Sequence, residues 1–308
     1  MALPLPNGKL AMWLFLVTEI MFFTALIGTY LILRSSVPDH PVIRWPKPHD
    51  VHLVEWMGAV NTFVLILSSL TVVLAHYAAA KGNFKHATMY ISVTTILGVV
   101  FMCIKGVEYK SKIDHDILPG KMSELLPGMG LPREREYHAV GMQYVDRVRV
   151  QLTDHVEKSA GKSLADAKKM SESDLHGAGH GTAECVALLN EMEGSTRKVA
   201  GLETYFPPLS PALVGQRVNE ILEKHEDHHL HLSPAISHGN MWASCYFAMT
   251  GFHALHVLGG IVIFGFIALL GLMGKLGPAH VGMLEVTGLY WHFVDIVWIF
   301  LFPLLYLV

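Results

Sequence analysis

The sequence predicts an all-α fold: a polytopic membrane helix bundle of five transmembrane helices with a mostly helical or irregular extramembrane insertion. Three observations predict it. The 308 residues are 52% hydrophobic and only 16% charged, with a mean hydropathy of +0.39. That is too apolar for an ordinary soluble domain. Five runs reach the roughly 20 residues that an α-helix needs to cross a bilayer. Charge is also uneven: 34 of the 49 charged residues fall between Lys110 and Ser237. The chain therefore divides into membrane helices 1–3 over 1–109, an insertion over 110–237, and membrane helices 4–5 over 238–308.

The first span is Leu10–Leu33, bracketed by Lys9 and Arg34, with Glu19 as its one charge. Its apolar run is too long for the core of a signal peptide, so it is expected to be retained. The second runs over about Met57–Ala80, and the third over about Ala87–Val107, with Lys105 near its end. The fourth, about Met241–Met273, carries no formal charge, and the fifth, about Val286–Val308, contains Asp295. Gly, Ala, Ser and Thr recur in all five, as close helix contacts in lipid favour. Lys9, Lys81, Lys85 and Lys275 lie on one side of the expected topology, and Arg34, Arg44 and Lys47 on the other. That slight excess favours an inside N-terminus and an insertion on the outside, which in a bacterium is the periplasm.

The insertion is not low-complexity. Helical charge patterning covers 144–170 and, in mixed form, 183–200, and a helix over 212–230 opens after Ser210–Pro211. Gly- and Pro-rich breaks separate them, so several short helices and loops packed on a membrane face are expected, not an independent enzyme domain. The net charge of −3 points away from a nucleic-acid partner. Cys103, Cys185 and Cys245 are widely spaced with no CxxC, which argues against a zinc knuckle or covalently attached haem. Cys103 and Cys245 read as small core residues of spans.

Ionisable groups at membrane depth are costly and usually face protein or a watery cavity. Here they are Glu19 in the first span, His253 and His256 in the fourth, and Glu285, His292 and Asp295 in the fifth. Steps of seven and three put Glu285, His292 and Asp295 on one helical face, so His292 and Asp295 can pair. Three readings stay open. One is a b-type haem ligated by His253 or His256 together with His292 from another helix. Another is a proton or ion relay through Glu19, His292 and Asp295. The third is a set of hydrogen bonds across helices that fixes the bundle. No cation lies within a turn of Glu19 in sequence.

Taken together, five motifs resemble subunit III of the haem-copper oxidases, the cytochrome c oxidase subunit 3 family. They are WLFLVTEIMFF (13–23), NTFVLILSSLTVVLAHYAAAKGNFKHA (61–87), LGVVFMCIKGVEY (97–109), TGFHALHVLGG (250–260), and Glu285 followed by YWHFVDIVW (290–298). The resemblance covers all five spans and omits 110–237. It implies a five-helix bacterial form, lacking the first two helices of the seven-helix form. It implies a subunit that binds no haem or copper itself, those centres lying in partner subunits I and II, and that binds phospholipid. It implies a role beside subunit I in sustained proton uptake, in a cytochrome c oxidase of the bacterial inner membrane. A quinol oxidase subunit and the accessory protein of nitric oxide reductase are the alternatives within that family. A stand-alone proton-coupled transporter is the alternative outside it, and would need broken helices and inverted halves. Glu19 falls on the family's buried carboxylate. Asn61, His76, Glu108, His253, His256, Glu285, Trp291, His292 and Asp295 fall on other motif positions. The fourth span lacks the Arg that often follows it in the family.

The family's connection between third and fourth helices is short, whereas here it is about 130 residues. It carries His176, His180 and Cys185 in HGAGHGTAEC, and His225, His228, His229 and His231 in HEDHHLH. Both stretches offer metal-ligand types, but two glycines interrupt the first, and a solvated polar surface is the plainer reading. The size and expected location of the insertion suggest docking on subunit II or an attached cytochrome c domain.

Overall fold

The computed structural model describes residues 7–37, 44–120, 122, 134–179, 181–199, 202–225 and 230–307. Five of its helices are long and apolar enough to cross a membrane. They are α1 (Asn7–Ser36), α2 (Glu55–Ala80), α3 (Phe84–Asp114), α9 (Gly239–Leu272) and α10 (Val281–Phe302), the last extended by a π turn over Pro303–Leu307. Between α3 and α9 lie α4 (Glu134–Ala160), α5 (Leu164–Ala167), α6 (Glu172–Gly177), α7 (Thr182–Glu193), β1 (Ser195–Val199), β2 (Leu202–Phe206) and α8 (Pro211–Lys224). The chain forms two compact units, one of Met1–Val37, Lys47–Ser111 and Ser244–Val308, the other of Pro38–Pro46 and Lys112–Ala243.

In the membrane unit, α10 is the most enclosed helix. The apolar core of its span is 56% buried, against 6% for α1. The helix α2 runs antiparallel to α10. Trp298 Nε1 donates to Thr62 Oγ1 at 3.1 Å and Trp291 Nε1 donates to Ser68 Oγ at 2.9 Å. A Cβ on Gly58 would strike Phe302 and Tyr306, so glycine sets the closeness of these two helices. On the other side of Trp291, its ring lies on Gly260 of α9, where any side chain would collide with it. Small residues thus admit bulky rings, which is how van der Waals contact drives association where lipid removes the hydrophobic effect. Thr71 and Thr94 share a hydrogen bond of 2.8 Å between α2 and α3. Helix α1 is held by aromatic contacts, Phe15 with Tyr290, Phe22 with Phe252, and Phe23 with His256 and Phe293. Cys245 is half-buried, but Cys103 is exposed on the outer face of α3 and does not join the core expected for it.

The second unit has a hydrophobic core of its own. Val145, Val148, Leu152 and Val156 form one stripe of α4, and Cys185, Leu188, Leu189 and Met192 one stripe of α7. Val214, Val218 and Ile221 supply α8. These spacings are the three- and four-residue steps of a helix face. Polar pins close the unit. Gln151 donates to Asp116 at 3.1 Å and accepts from the Ser233 amide at 3.0 Å, while the Asn219 amide bonds both backbone groups of Ala235. Tyr144 donates to the Ser233 carbonyl at 3.0 Å, and burial pushes its phenol well above its ordinary range.

The helical reading of 144–170 is interrupted. Gly161 takes φ +62 after α4, and Ser163 then caps the short α5 through the Asp166 amide. The mixed pattern over 183–200 is helical only to Glu193. Gly194 (φ +73) ends α7, and Thr196 and Val199 enter an antiparallel hairpin opposite Tyr205 and Leu202. Beta-branched and aromatic residues favour that conformation. The helix expected from 212 begins at Pro211, with Ser210 as its cap, and ends at Lys224. Instead of only short helices, the insertion contains the 27-residue α4.

Glu184 joins α7 to α8 by accepting from Lys224 Nζ at 2.7 Å, with His225 Nε2 at 3.4 Å. The Lys224 hydrogen bond, followed by weaker contributions including His225, holds the carboxyl at about 2, below its ordinary 4.5, against a modest opposing effect of burial. A depressed folded value means the contribution is complete above about 4.5 and is lost as pH falls toward about 2. Glu184→Gln is expected to flatten that acid limb, read as amide-exchange protection of α7 and α8 against pH. An unaltered acid limb would count against the role of this carboxylate.

Candidate functional site

The intramembrane polar groups sort into four sets. The first lies between α1 and α9. Glu19 Oε2 is 3.1 Å from His256 Nε2, and both side chains are about one-fifth exposed, at 20% and 17%. His256 Nδ1 is 2.7 Å from the carbonyl of Phe252. A carbonyl only accepts, so Nδ1 carries a hydrogen. The contact between Nε2 and the carboxyl then holds one shared proton. It is either imidazolium with carboxylate, or neutral imidazole with carboxylic acid. Glu19 therefore has a partner that its own helix does not reveal. The backbone carbonyl of His256 also accepts from Tyr290 at 2.8 Å.

The second set is the face of α10. Glu285 pairs with Lys9 of α1 at 2.6 Å and is about one-third exposed. His292 Nδ1 shares a hydrogen bond of 2.6 Å with Ser69 Oγ of α2. Asp295 is 3% exposed, and its carboxyl reaches no well-formed hydrogen bond among the described residues, keeping only a looser contact with the Ser69 hydroxyl. The expected His292–Asp295 pair does not form. The steps of seven and three do align these residues, but a neighbouring helix supplies the nearer hydroxyl for His292.

The third set was only half legible. Lys105 and Glu108 are 2% and 4% exposed, one turn apart on α3. Lys105 Nζ donates to Glu108 Oε1 at 2.9 Å, to Tyr306 Oη at 2.9 Å and to Tyr246 Oη at 3.2 Å. Tyr246 donates to Glu108, and Tyr306 donates to both of its oxygens at 2.7 and 2.8 Å. The ammonium also lies 5.0 Å from the Trp298 ring centroid, within cation–π range. All three ammonium donors are used, so the charges are paired and hydrogen-bonded, as burial in a low dielectric requires. The Lys-x-x-Glu spacing was readable, but the tyrosines come from α9 and the π turn and left no sequence signal.

The fourth set is His253 and Asn61, both essentially inaccessible at 1% and 0%. His253 stacks on Trp298 at 5.1 Å and meets Phe101 edge-on at 5.7 Å. Among the described residues, neither its ring nitrogens nor the amide atoms of Asn61 have hydrogen-bond partners. Trp291 is fully buried, while His76 is half-buried near the end of α2. Of the three histidines, His253 is enclosed by the Phe101 and Trp298 rings, while His256 and His292 each bond a group on another helix or their own backbone. The spans are also continuous helices, without the breaks that the transporter reading requires.

In the insertion, His176 is exposed and Cys185 is fully buried in the apolar core, where burial pushes its thiol up to about 12. A thiol held that high packs as a protonated hydrophobe in the apolar core. His180, His228 and His229 lie outside the described residues. Among the described residues, no three His, Cys, Asp or Glu side chains gather as a metal site.

The family model described as cytochrome c oxidase subunit III matches residues 6–115 and 223–308. A protein of Nocardia farcinica named probable cytochrome c oxidase subunit 3 is 42% identical over 81 residues, 26% of this chain and 39% of that protein. One of Rickettsia bellii with the same name is 31% identical over 121 residues, 34% of this chain and 42% of that protein. A cytochrome c oxidase subunit 3 of Thermostichus vulcanus is 43% identical over 74 residues, 22% of this chain and 34% of that protein. The chain thus spans about two-fifths or less of the length of these relatives.

Lys105→Met is expected to lower stability by about 3–5 kcal/mol, because it leaves the buried Glu108 charge without its counter-ion. The double variant Lys105→Met with Glu108→Leu should lose less than the single one, because it removes the orphaned charge as well. Thermal melting of the purified protein in detergent checks the order, and a larger loss in the double variant would refute it.

Proposed function

We propose that this chain, which belongs to the cytochrome c oxidase subunit III family, is the non-redox accessory subunit of a proton-pumping terminal oxidase fed by cytochrome c. In this reading it flanks subunit I, stabilises it, supports its proton uptake and binds phospholipid. Haem and copper stay in the partner subunits. The membrane is the bacterial inner membrane, with the N-terminus inside and the insertion in the periplasm.

The Glu19–His256 contact is the observation that carries this reading. It places one shareable proton between two side chains that keep partial access to the surroundings. Such a pair can pass a proton along the hydrogen bond whose oxygen and nitrogen lie 3.1 Å apart, and exchange it with the surroundings at its exposed side. Groups of that kind at membrane depth mark proton routes. The carboxyl also sits on α1, which is held chiefly by ring contacts and by Lys9–Glu285 and is the least enclosed span.

Glu19→Gln keeps the shape and a hydrogen bond to His256 but removes the acid. It should shorten the catalytic lifetime of the oxidase, or lower its protons pumped per electron, several-fold without altering the haem spectra. Wild-type pumping and lifetime would sink the proton role. Purification of the tagged chain in mild detergent should bring down a haem-binding and a copper-binding subunit. Recovery with nitric oxide reductase subunits instead would move the assignment.

The insertion, folded around its own core, supports a docking role on subunit II or a cytochrome c domain. Deleting 115–230 should slow cytochrome c oxidation while leaving the membrane part assembled. An unchanged rate in the assembled variant would refute that docking.

A further inference from the structure

We infer that Asn61, His253 and Asp295 bind a cluster of internal water around the indole of Trp298. These three side chains come from α2, α9 and α10 and are 0%, 1% and 3% exposed. Between them they hold six nitrogen and oxygen atoms that reach no well-formed hydrogen bond among the described residues, Asp295 keeping only a looser contact with the Ser69 hydroxyl. Buried polar groups in folded proteins are almost always satisfied, by protein or by ordered water. Elsewhere in this bundle the rule is kept closely. The Lys105 ammonium uses every donor, both inner indoles donate to hydroxyls, and His292 and His256 are both engaged.

The three exceptions lie on three helices that meet at Trp298. His253 stacks on the face of Trp298 at 5.1 Å. The indole nitrogen of Trp298 donates to Thr62, the residue after Asn61. Asp295 lies one turn before Trp298 on the same helix, between the Thr62–Trp298 and Ser69–His292 contacts. Trp298 of α10 thus touches α9 through His253 and α2 through Thr62, the helices that carry the other two groups.

The chemistry of the atoms selects the occupant. The Asn61 amide nitrogen only donates and its oxygen only accepts, the Asp295 carboxyl accepts and, when protonated, also donates, and neutral His253 does one of each. A bare cation satisfies the acceptors and leaves the amide N–H groups orphaned. An anion does the reverse. Water both donates and accepts, with two to four partners per molecule. The Lys105 ammonium over Trp298 at 5.0 Å further opposes a second cation. Such water would link the Asp295 carboxyl and the His253 imidazole within a span region whose outer surface is apolar.

Radiolytic hydroxyl-radical labelling of the intact complex in detergent tests this, because radicals formed from bound water oxidise buried neighbours. Trp291 is the internal control. It is as buried as Trp298, is on the same helix, and donates to an α2 hydroxyl in the same way. Trp298 and His253 should label several-fold faster than Trp291 in the wild-type protein. Asp295→Leu should bring the Trp298 rate down toward that of Trp291. Equal protection of the two indoles in the wild type overturns the proposal whether or not the variant folds. An unchanged Trp298 rate in a folded Asp295→Leu protein removes Asp295 from the site.

Discussion

The enclosure of α10 by the other four spans is the constraint on which the membrane unit depends. Trp291 needs Gly260 of α9 and Ser68 of α2, and Trp298 needs Thr62 of α2 and Phe101 of α3. Glu285 reaches Lys9 of α1. Lipid tails are as apolar as leucine, so nothing but close fit and hydrogen bonding holds these helices together. Tyr290, Trp291, Trp298 and Phe302 accordingly each meet a glycine or a hydroxyl opposite. A side chain added at Gly58 or Gly260 would crowd the facing helix, since the atoms in the way belong to the buried rings of Tyr306 and Trp291 and the half-buried ring of Phe302.

Within that frame the polar groups follow different solutions to one cost. Lys105 and Glu108 are neutralised as a pair and wrapped by two phenols, which joins α3 to α9 and to the π turn after α10. Glu19 and His256 meet near the edge, with both side chains about one-fifth exposed. Asn61, His253 and Asp295 are enclosed with no well-formed hydrogen bond among the described residues. The deep pair is fully satisfied by protein, while the shallow pair keeps access to its surroundings. The difference is one of access rather than of residue type.

The insertion obeys the rules of a water-soluble unit. Its helices carry apolar stripes, its caps are serines, and its turns use glycines at positive φ, such as Gly161 and Gly194. Ion pairs such as Lys168–Glu193 and Lys224–Glu184 sit toward its surface. A core that closes on itself allows such a unit to be accommodated between two spans without altering the span motifs. This agrees with the family match stopping at residue 115 and resuming at 223.

By itself, the sequence determined the number and nature of the spans, because a bilayer requires long apolar runs that composition displays directly. It also determined which residues were exceptional: Glu19, His253, His256, His292 and Asp295 stood out as polar against apolar neighbours. It located the insertion and the start of α8, since caps and stripes are local. Tertiary structure alone decided who meets whom. Glu19 found His256 some 237 positions away, His292 found Ser69 in place of Asp295, and Lys105 and Glu108 recruited Tyr246 and Tyr306. Periodicity within a helix fixes the face on which a residue lies. It carries no information about the helix that packs against that face, and in a membrane that neighbour decides whether a buried charge is neutralised, shared or left to water.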